Sequence, residues 1–318
     1  MNKKTLRLIL FLILVLFLSI NIVAVFQAYK FTHYDDSVIR KEKIQNSSWT
    51  HKLKAVVLGV DLPRPEDTAF PERAYETIRM DDDKNTECWF VPTDSVEKSK
   101  GTVILCHGYG GSKSSMLLKA DVFLDLGYNV FLFDFMGSGG SGGNQTTIGY
   151  YESEQVKTVY DYILAKEGNA KRVVLLGTSM GAVAIMKAVH DYEFSPGGII
   201  LECPYSTMLR TVQNRFHNVG FPKFPMANLL VFWGGAINGF NAFGLEPVEY
   251  VKSVSSPVLL IYGQKDDKVM QDETDDIYRN IERVDKYLVQ YPLAGHDNYL
   301  EQYAGRWTAD IREFLDRL

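Results

Sequence analysis

The sequence predicts an α/β protein with a doubly wound, mostly parallel sheet, and three observations favour this fold. Short apolar runs recur along the chain, as expected for strands buried on both faces of a parallel sheet. Stretches with apolar residues at helical spacing separate those runs, and this alternation is typical of doubly wound sheets. The composition suits a packed core, because 46% of the 318 residues are hydrophobic and 23% are charged. Disordered, collagen-like and coiled-coil chains are thereby excluded.

An apolar segment near the amino terminus can span a membrane. Residues 8–26 form a run of 19 residues without charge. A helix of that length rises about 28 Å, close to the thickness of a bilayer's hydrocarbon core. We expect residues 1–28 to be a short cytoplasmic tail and an uncleaved single-pass signal-anchor, with the rest of the chain outside the cytoplasm. The alternative is a signal peptide that is cleaved to give a secreted protein, although its apolar region is usually only about 7 to 15 residues long.

The rest of the chain divides into an arm and a body. Residues 29–73 are polar and mixed, with prolines near their end, and predict a connecting arm with a short helix. The body is predicted to be one domain over 74–318. Its strands are predicted at 75–80, 87–91, 102–106, 129–133, 172–176, 198–201, 257–262 and 286–290. Helices are predicted between strands at 114–126, 152–166 and 181–192.

One long connection breaks the alternation of strands and helices. Residues 207–247 separate two predicted strands, whereas such loops usually have about two to six residues. We interpret this segment as an inserted helical cap. Its aromatic residues either hold the cap to the body or line an apolar substrate pocket beneath a movable lid. They are Phe216, Phe221, Phe224, Phe232, Trp233, Phe240 and Phe243.

Charge, cysteines and glycines argue against several classes of site. The net charge is -5 without a basic stripe, so no nucleic-acid partner is expected. The three cysteines form no Cys-x-x-Cys pair, so neither a disulfide framework nor a cysteine-built zinc site is expected. Residues 137–142 fit Gly-x-Gly-x-x-Gly, but polar residues separate the last glycine from the next helix, unlike in a dinucleotide-binding turn. We expect no metal and no cofactor.

The strongest local motif is Gly177-Thr178-Ser179-Met180-Gly181, which directly follows a predicted strand and precedes a predicted helix. A serine at such a sharp turn has its hydroxyl lifted clear of the sheet, and the flanking glycines give the turn room. The motif predicts a nucleophile at Ser179. The alternative interpretation is a tight packing corner between strand and helix.

A serine nucleophile needs a base and an acid that orients the base. His296 lies in a loop between the last predicted strand and the final helix, whereas His107 is expected to bond across a glycine loop. Asp266 and Asp267 follow the strand at 257–262 and are both candidates for the acid. The chain order serine, acid, histidine is typical of one fold.

From about Gly101 onward the sequence resembles the α/β-hydrolase family, and within it the serine-aminopeptidase and monoacylglycerol-lipase type of esterases. The motifs that carry the resemblance are the Ser179 turn, His107-Gly108-Tyr109-Gly110-Gly111, Asp134-x-x-Gly137-x-Gly139-x-Ser141, Gly263-x-x-Asp266-x-x-Val269 and Gly295-His296. The resemblance implies Ser179 as nucleophile, His296 as general base and Asp266 as acid. Asp267 is the rival acid, and a family variant would place the acid at Glu202.

The resemblance also implies an oxyanion hole and an activity. The backbone N–H groups of Tyr109 and Met180 would bind the oxyanion. Ala182 departs from many relatives, which have a second glycine after Gly181, and should tighten helix packing. The implied function is a membrane-anchored serine esterase or lipase that cleaves small acyl esters, with lipid-like acyl groups suggested by the apolar cap. A serine peptidase or aminopeptidase, an acyltransferase and a non-catalytic scaffold are the alternatives.

Overall fold

The computed structural model describes residues 1–38, 59–94, 99–218, 220, 222–282, 284–296 and 299–318. Within these ranges, eight strands form one sheet in the order β1-β2-β4-β3-β5-β6-β7-β8. β2 is antiparallel to both of its neighbours, and every other neighbouring pair is parallel. The mostly parallel sheet predicted from the sequence is thereby confirmed. The strands are β1 Glu76–Arg79, β2 Glu87–Val91, β3 Thr102–Cys106, β4 Asn129–Phe133, β5 Val173–Thr178, β6 Gly198–Glu202, β7 Val258–Gly263 and β8 Lys286–Tyr291.

Helices cover both faces of the sheet, which explains why the central strands are apolar throughout. β3 is buried along its whole length, and its successive side chains enter two different cores. Ile104 packs with Val183 in one core, and Leu105 packs with Trp307 in the other. Beside the sheet lie the helices α2 Leu117–Asp125, α3 Glu152–Glu167, α4 Met180–Tyr192, α8 Gln271–Asn280 and α9 Tyr299–Leu315.

The cap, residues 207–247, lies between β6 and β7 and contains two long helices. These are α5 Met208–Asn218 and α6 Met226–Asn238, which pack against each other. The short helix α7 Pro247–Tyr250 leads back towards the sheet. α6 has no charged residue, and the only buried residues in it are Ala227, Val231 and Gly235.

The amino-terminal helix α1, Lys3–Thr32, is the one helix among the described residues that is long and apolar enough to cross a membrane. It runs four residues past the predicted boundary at 28. The side chains of residues 3–19 are exposed, whereas Ala24, Ala28 and Thr32 are buried. α1 packs along α6 at this end, because small residues at every fourth position let two helices approach closely.

Part of the predicted arm is also ordered around the body. Tyr34–Asp35 pairs in parallel with Leu62–Pro63. The Arg64 guanidinium then donates to the carbonyl oxygens of Gly139, Ser141 and Gly143. Residues 39–58 of the predicted arm lie outside the described residues, as does Phe221 of the cap.

Candidate active site

Ser179 occupies the sharp turn between β5 and α4. Its φ of 52° and ψ of -111° are rarely adopted by a residue with a side chain. A Cβ added to Gly181 would lie 2.7 Å from the carbonyl oxygen of His107, and one added to Gly177 would lie 2.5 Å from the nitrogen of Ala182. Only glycine fits at these positions, because the first turn of α4 lies against β5 at Gly177 and against the end of β3 at Gly181.

His296 meets Ser179 from the loop after β8, across 117 residues of sequence. Its Nε2 lies 2.9 Å from the Ser179 Oγ, and its Nδ1 lies 2.8 Å from an Asp266 Oδ2. Its imidazole is 9% exposed and the Asp266 carboxylate is fully buried. The three side chains that the sequence singles out therefore form one hydrogen-bonded line.

The second oxygen of Asp266 fixes the carboxylate in place. Oδ1 accepts hydrogen bonds from the backbone N–H of Lys268, at 2.8 Å, and of Val269, at 2.9 Å. With Oδ2 on His296, both oxygens have partners. Asp267, the rival acid, is exposed at the surface of the same turn.

Glu202 lies beneath the serine turn and is held away from the imidazole. Its carboxylate accepts from the Thr178 hydroxyl at 2.7 Å, from the Trp307 indole N–H at 2.9 Å and from the Lys119 ammonium. Its backbone carbonyl accepts from the Ser179 N–H at 2.8 Å. Glu202 thus stabilises the turn that holds Ser179. The sequence around Glu202 contains no pattern that predicts this role.

Cys203 is a further neighbour that the sequence reasoning did not assign. Its Sγ donates to the carbonyl oxygen of His296 at 2.6 Å, which ties the histidine loop to the end of β6. Burial raises the pKa of the Cys203 thiol well above its ordinary value, so the sulfur stays protonated and is a poor metal ligand.

The loop that follows β3 lies against the serine turn. A Cβ added to Gly108 would lie 3.3 Å from the Thr178 carbonyl oxygen and 3.8 Å from the Ser179 Cβ. Tyr109, next in the chain, lines the same pocket as Ser179. Met180 is the first residue of α4, where backbone N–H groups have no partner within the helix. The oxyanion-hole role of Tyr109 and Met180 stays a prediction.

His107 supports this loop from inside the body. Its Nε2 accepts from the backbone N–H of Phe135 at 3.0 Å, and its Nδ1 donates to the Gly108 carbonyl at 2.9 Å. Burial lowers the pKa of His107, so the ring is neutral near pH 7. Both nitrogens are occupied, which is consistent with a structural role.

The glycine-rich stretch 137–142 surrounds a buried cluster of charges. The Lys113 ammonium bonds to the carboxylates of Asp67, Glu87 and Asp134. The backbone N–H of Gly140 donates to Asp134 at 2.9 Å, and an added Cβ there would collide with Glu87. Close packing on this cluster accounts for Gly139 and Gly140, whereas Gly137 and Gly142 lie against the backbone of Gln145 and Lys84. The three carboxylates are near enough to share a metal ion, but the Lys113 ammonium already occupies the position between them.

A largely apolar pocket leads to Ser179. It has an empty volume of about 920 Å³, including its open mouth, and α1, the cap and the loop after β3 form its walls. Arg215 is the only charged residue in the part of its lining that the structure describes. Apolar lining residues include Ala28, Phe31, Ile148, Met208, Leu230 and Phe240.

The described aromatic residues of the cap lie in different surroundings. Phe216 and Phe240 line the pocket. Trp233 instead donates its indole N–H to the Asn21 Oδ1 on α1, at 3.1 Å. The rings of Phe224, Phe232 and Phe243 are exposed. Phe240 also stacks on Tyr150 of the body, with ring centroids 4.3 Å apart, so this ring both lines the pocket and holds the cap to the body.

Comparisons with known proteins agree with the fold and the motifs. Residues 97–228 match the family model described as Serine aminopeptidase, S33. The uncharacterized protein YqkD of Bacillus subtilis is 26% identical over 219 residues, which cover 68% of this chain and 72% of that protein. The lysophosphatidylserine lipase ABHD12 of Macaca fascicularis is 24% identical over 238 residues, which cover 65% of this chain and 56% of the lipase.

Among solved structures, the esterase Pf2001 of Pyrococcus furiosus superimposes with a TM-score of 0.66. It is 23% identical, and the match covers 80% of this chain and 96% of that chain. This likeness shows a common fold. Together with the matched family model, it confirms the resemblance that the sequence motifs predicted.

Proposed function

We propose that this chain, which has the α/β-hydrolase fold, is a serine hydrolase that cleaves acyl esters through an acyl-enzyme intermediate. The observation that carries the proposal is the hydrogen-bonded line from Ser179 through His296 to Asp266, with separations of 2.9 and 2.8 Å. The strained backbone at Ser179 supports it, because such strain is common at nucleophiles.

The proposed reaction uses these groups in turn. His296 Nε2 takes the proton from Ser179 Oγ as that oxygen attacks the ester carbonyl, and Asp266 stabilises the imidazolium. The backbone N–H groups of Tyr109 and Met180 would bind the oxyanion that forms. His296 then gives the proton to the departing alkoxide, leaving the acyl group on Ser179. A water molecule, deprotonated by His296, attacks the acyl carbon. The bond from that carbon to Ser179 Oγ then breaks, His296 returns the proton to Oγ, and the carboxylic acid is released.

The pocket favours an ester over a peptide with a free amino terminus. An aminopeptidase must bind the ammonium group of its substrate, for which a buried carboxylate is the natural partner. Among the described residues that line the pocket, none has an acidic side chain, and the one charged member, Arg215, is a cation. The relatives named as a lipase and an esterase point in the same direction.

We further propose that α1 anchors the protein in a membrane as a single-pass helix, with the short amino-terminal tail in the cytoplasm. Its uncharged run and its length support anchoring. A reporter that works only in the cytoplasm, fused after Leu318, should stay silent. A strong signal from that fusion would reverse the orientation.

The proposed activity is tested by replacing Ser179 with alanine and measuring the hydrolysis of short p-nitrophenyl esters. We expect kcat to fall by about 10⁵-fold or more, because the nucleophile is lost. Ser115→Ala is the matched control, because Ser115 is exposed and bonds only within its own loop. Labelling with a fluorophosphonate should likewise depend on Ser179. Unchanged hydrolysis or labelling in Ser179→Ala would end the proposal.

A further inference from the structure

The proposed anchor α1 also packs against the folded part of the protein. Ala24, Ala28 and Thr32 occupy one face of its last turns and are buried. The Trp233 indole N–H on α6 bonds to Asn21, in the preceding turn. The two helices are therefore joined over the last third of α1.

The same end of α1 forms one wall of the pocket that leads to Ser179. Ala28, Phe31 and Thr32 line this pocket together with Leu230 and Gly234 of α6. The Tyr109 hydroxyl donates to the Phe31 carbonyl oxygen at 2.8 Å, which ties α1 to the loop beside Ser179. Removing α1 would take away a side of the pocket.

The position of α6 along α1 indicates its depth in a bilayer. Between Arg7 and Lys30, 22 residues are uncharged, a helical length of about 33 Å that matches a hydrocarbon core. Asn21 lies nine residues before Lys30, or about 14 Å towards the bilayer. One leaflet's hydrocarbon is roughly 15 Å thick. The middle of α6, bonded to Asn21, therefore falls within the acyl-chain region of the leaflet nearest the body.

The surface of the cap suits that position. Over its 13 residues, α6 carries no charged side chain. Phe232 is 52% exposed on α6, and Phe224, just before this helix, is 76% exposed. Exposed apolar side chains grouped on one surface mark sites of interaction with membranes or other proteins, and such rings are stable among lipid chains.

We infer that α1 and α6 together form a passage between the leaflet and Ser179, so that the acyl chain of a membrane-resident ester reaches the serine without crossing water. This inference rests on the proposed esterase activity and on the proposed membrane anchoring by α1. The substrate class is an amphiphile that keeps one acyl chain in the leaflet facing the body. Ala28, Phe31, Leu230 and Gly234 then set which chains are accepted.

The location of α6 is tested by tryptophan fluorescence in proteoliposomes whose phospholipids carry bromine on the acyl chains. The contribution of Trp233 is the fluorescence of the wild-type protein minus that of Trp233→Phe. We expect brominated lipid to remove most of it. The matched control is the fluorescence contribution of Trp89, obtained in the same way from Trp89→Phe. Trp89 is 2% exposed in the body, so brominated lipid should leave its fluorescence in place. An unquenched Trp233 signal would overturn the inference, and this readout does not depend on catalysis.

The passage itself is tested at Gly234. A Cβ added there meets no atom within 4 Å, so Gly234→Leu should fold and extend a side chain into the pocket. Gly305→Leu is the matched control, because an added Cβ is equally free there and Gly305 is exposed on α9. The ratio of kcat/KM for a decanoyl ester to that for an acetyl ester, measured in vesicles, is the readout.

We expect Gly234→Leu to lower this ratio by about 15-fold, the loss that follows when two methylenes lose their apolar contacts. Gly305→Leu should leave it unchanged. A ratio that stays at the wild-type value in Gly234→Leu would contradict the passage. If the wild-type protein hydrolyses neither ester, the proposed activity itself has failed, whereas the quenching experiment still reports whether α6 lies in the leaflet.

Discussion

Replacing Asp266 by asparagine changes the charge beside His296 while keeping the shape of the side chain. In the native protein, Oδ1 accepts from the N–H groups of Lys268 and Val269, and Oδ2 faces His296 Nδ1 at 2.8 Å. The amide nitrogen of asparagine cannot accept a hydrogen bond. The asparagine oxygen must therefore stay with the two backbone donors, which leaves the NH₂ group facing His296.

This arrangement traps the imidazole in the wrong tautomer. Nδ1 must accept from the NH₂ group, so the ring proton moves to Nε2, 2.9 Å from Ser179 Oγ. A protonated Nε2 cannot take the proton of the serine, and the imidazolium also loses its stabilising charge. We expect kcat for a short acyl ester to fall by about 10⁴-fold, which is about 5.5 kcal/mol at the transition state.

The assay compares kcat and thermal unfolding for Asp266→Asn and Asp267→Asn. Because the asparagine side chain keeps the same bonding positions, the midpoint of unfolding should change little. Asp267 is exposed on the same turn, so its replacement should leave kcat within about twofold of the wild type, as is usual for a surface site. The reasoning is refuted if folded Asp266→Asn retains a tenth or more of the wild-type kcat, or if Asp267→Asn suffers the larger loss.

Three further variants test other parts of the account. Gly181→Ala forces a Cβ to within 2.7 Å of the His107 carbonyl oxygen, so kcat/KM should fall by about 100-fold or more as Ser179 is displaced; wild-type kinetics would contradict this. Ala182→Gly should lower the free energy of unfolding by about 1 kcal/mol in urea titrations, because glycine disfavours helix, with kcat unchanged; a variant as stable as the wild type would show that the methyl adds nothing. Because burial lowers the pKa of His107 below 6.5, the unfolded chain binds a proton that the folded chain does not as the pH falls below 6.5. This group's contribution to the free energy of unfolding should therefore shrink by up to about 1.4 kcal/mol per pH unit. His107→Gln should remove this part of the dependence of the free energy of unfolding on pH between pH 7 and 5. The same dependence in wild type and variant would show that the ring does not titrate in this way.

The strands were the most predictable part of the fold, for a physical reason. A strand buried on both faces must be apolar throughout, and a glycine or polar turn ends it. Residues 129–133 match the predicted strand at both ends, and β5 differs from its prediction only by starting one residue later and ending two residues later. No such constraint applies to the two helices of the cap. Their apolar residues pack on α1 and on each other.

The line of Ser179, Asp266 and His296 could be predicted because each residue follows the carboxyl end of a strand in a parallel sheet. Such strand ends meet at one edge, so residues far apart in sequence come together there. The contacts around Glu202 could not be predicted in this way. Lys119 and Trp307 reach it from α2 and α9, 83 and 105 residues distant, and nothing in the spacing marks those pairs.

The role of α1 in the pocket was missed, although a signal was present. Its apolar run is uniform enough to be assigned wholly to the bilayer. Ala24, Ala28 and Thr32 are small residues at intervals of four, a pattern typical of helix contacts in membranes. That pattern indicates a packed face at the end of α1, although it does not identify α6 as the partner.

The central claim, that Ser179 carries the acyl group during turnover, is tested most directly by trapping the intermediate. The protein is mixed with a p-nitrophenyl ester, quenched in acid within the first turnover and digested for mass spectrometry. The account predicts a burst of one p-nitrophenol per chain and the mass of the acyl group on the peptide that contains Ser179, both absent from Ser179→Ala. Continued hydrolysis with the acyl group on another residue, or with no acylated peptide in repeated early quenches, would contradict it.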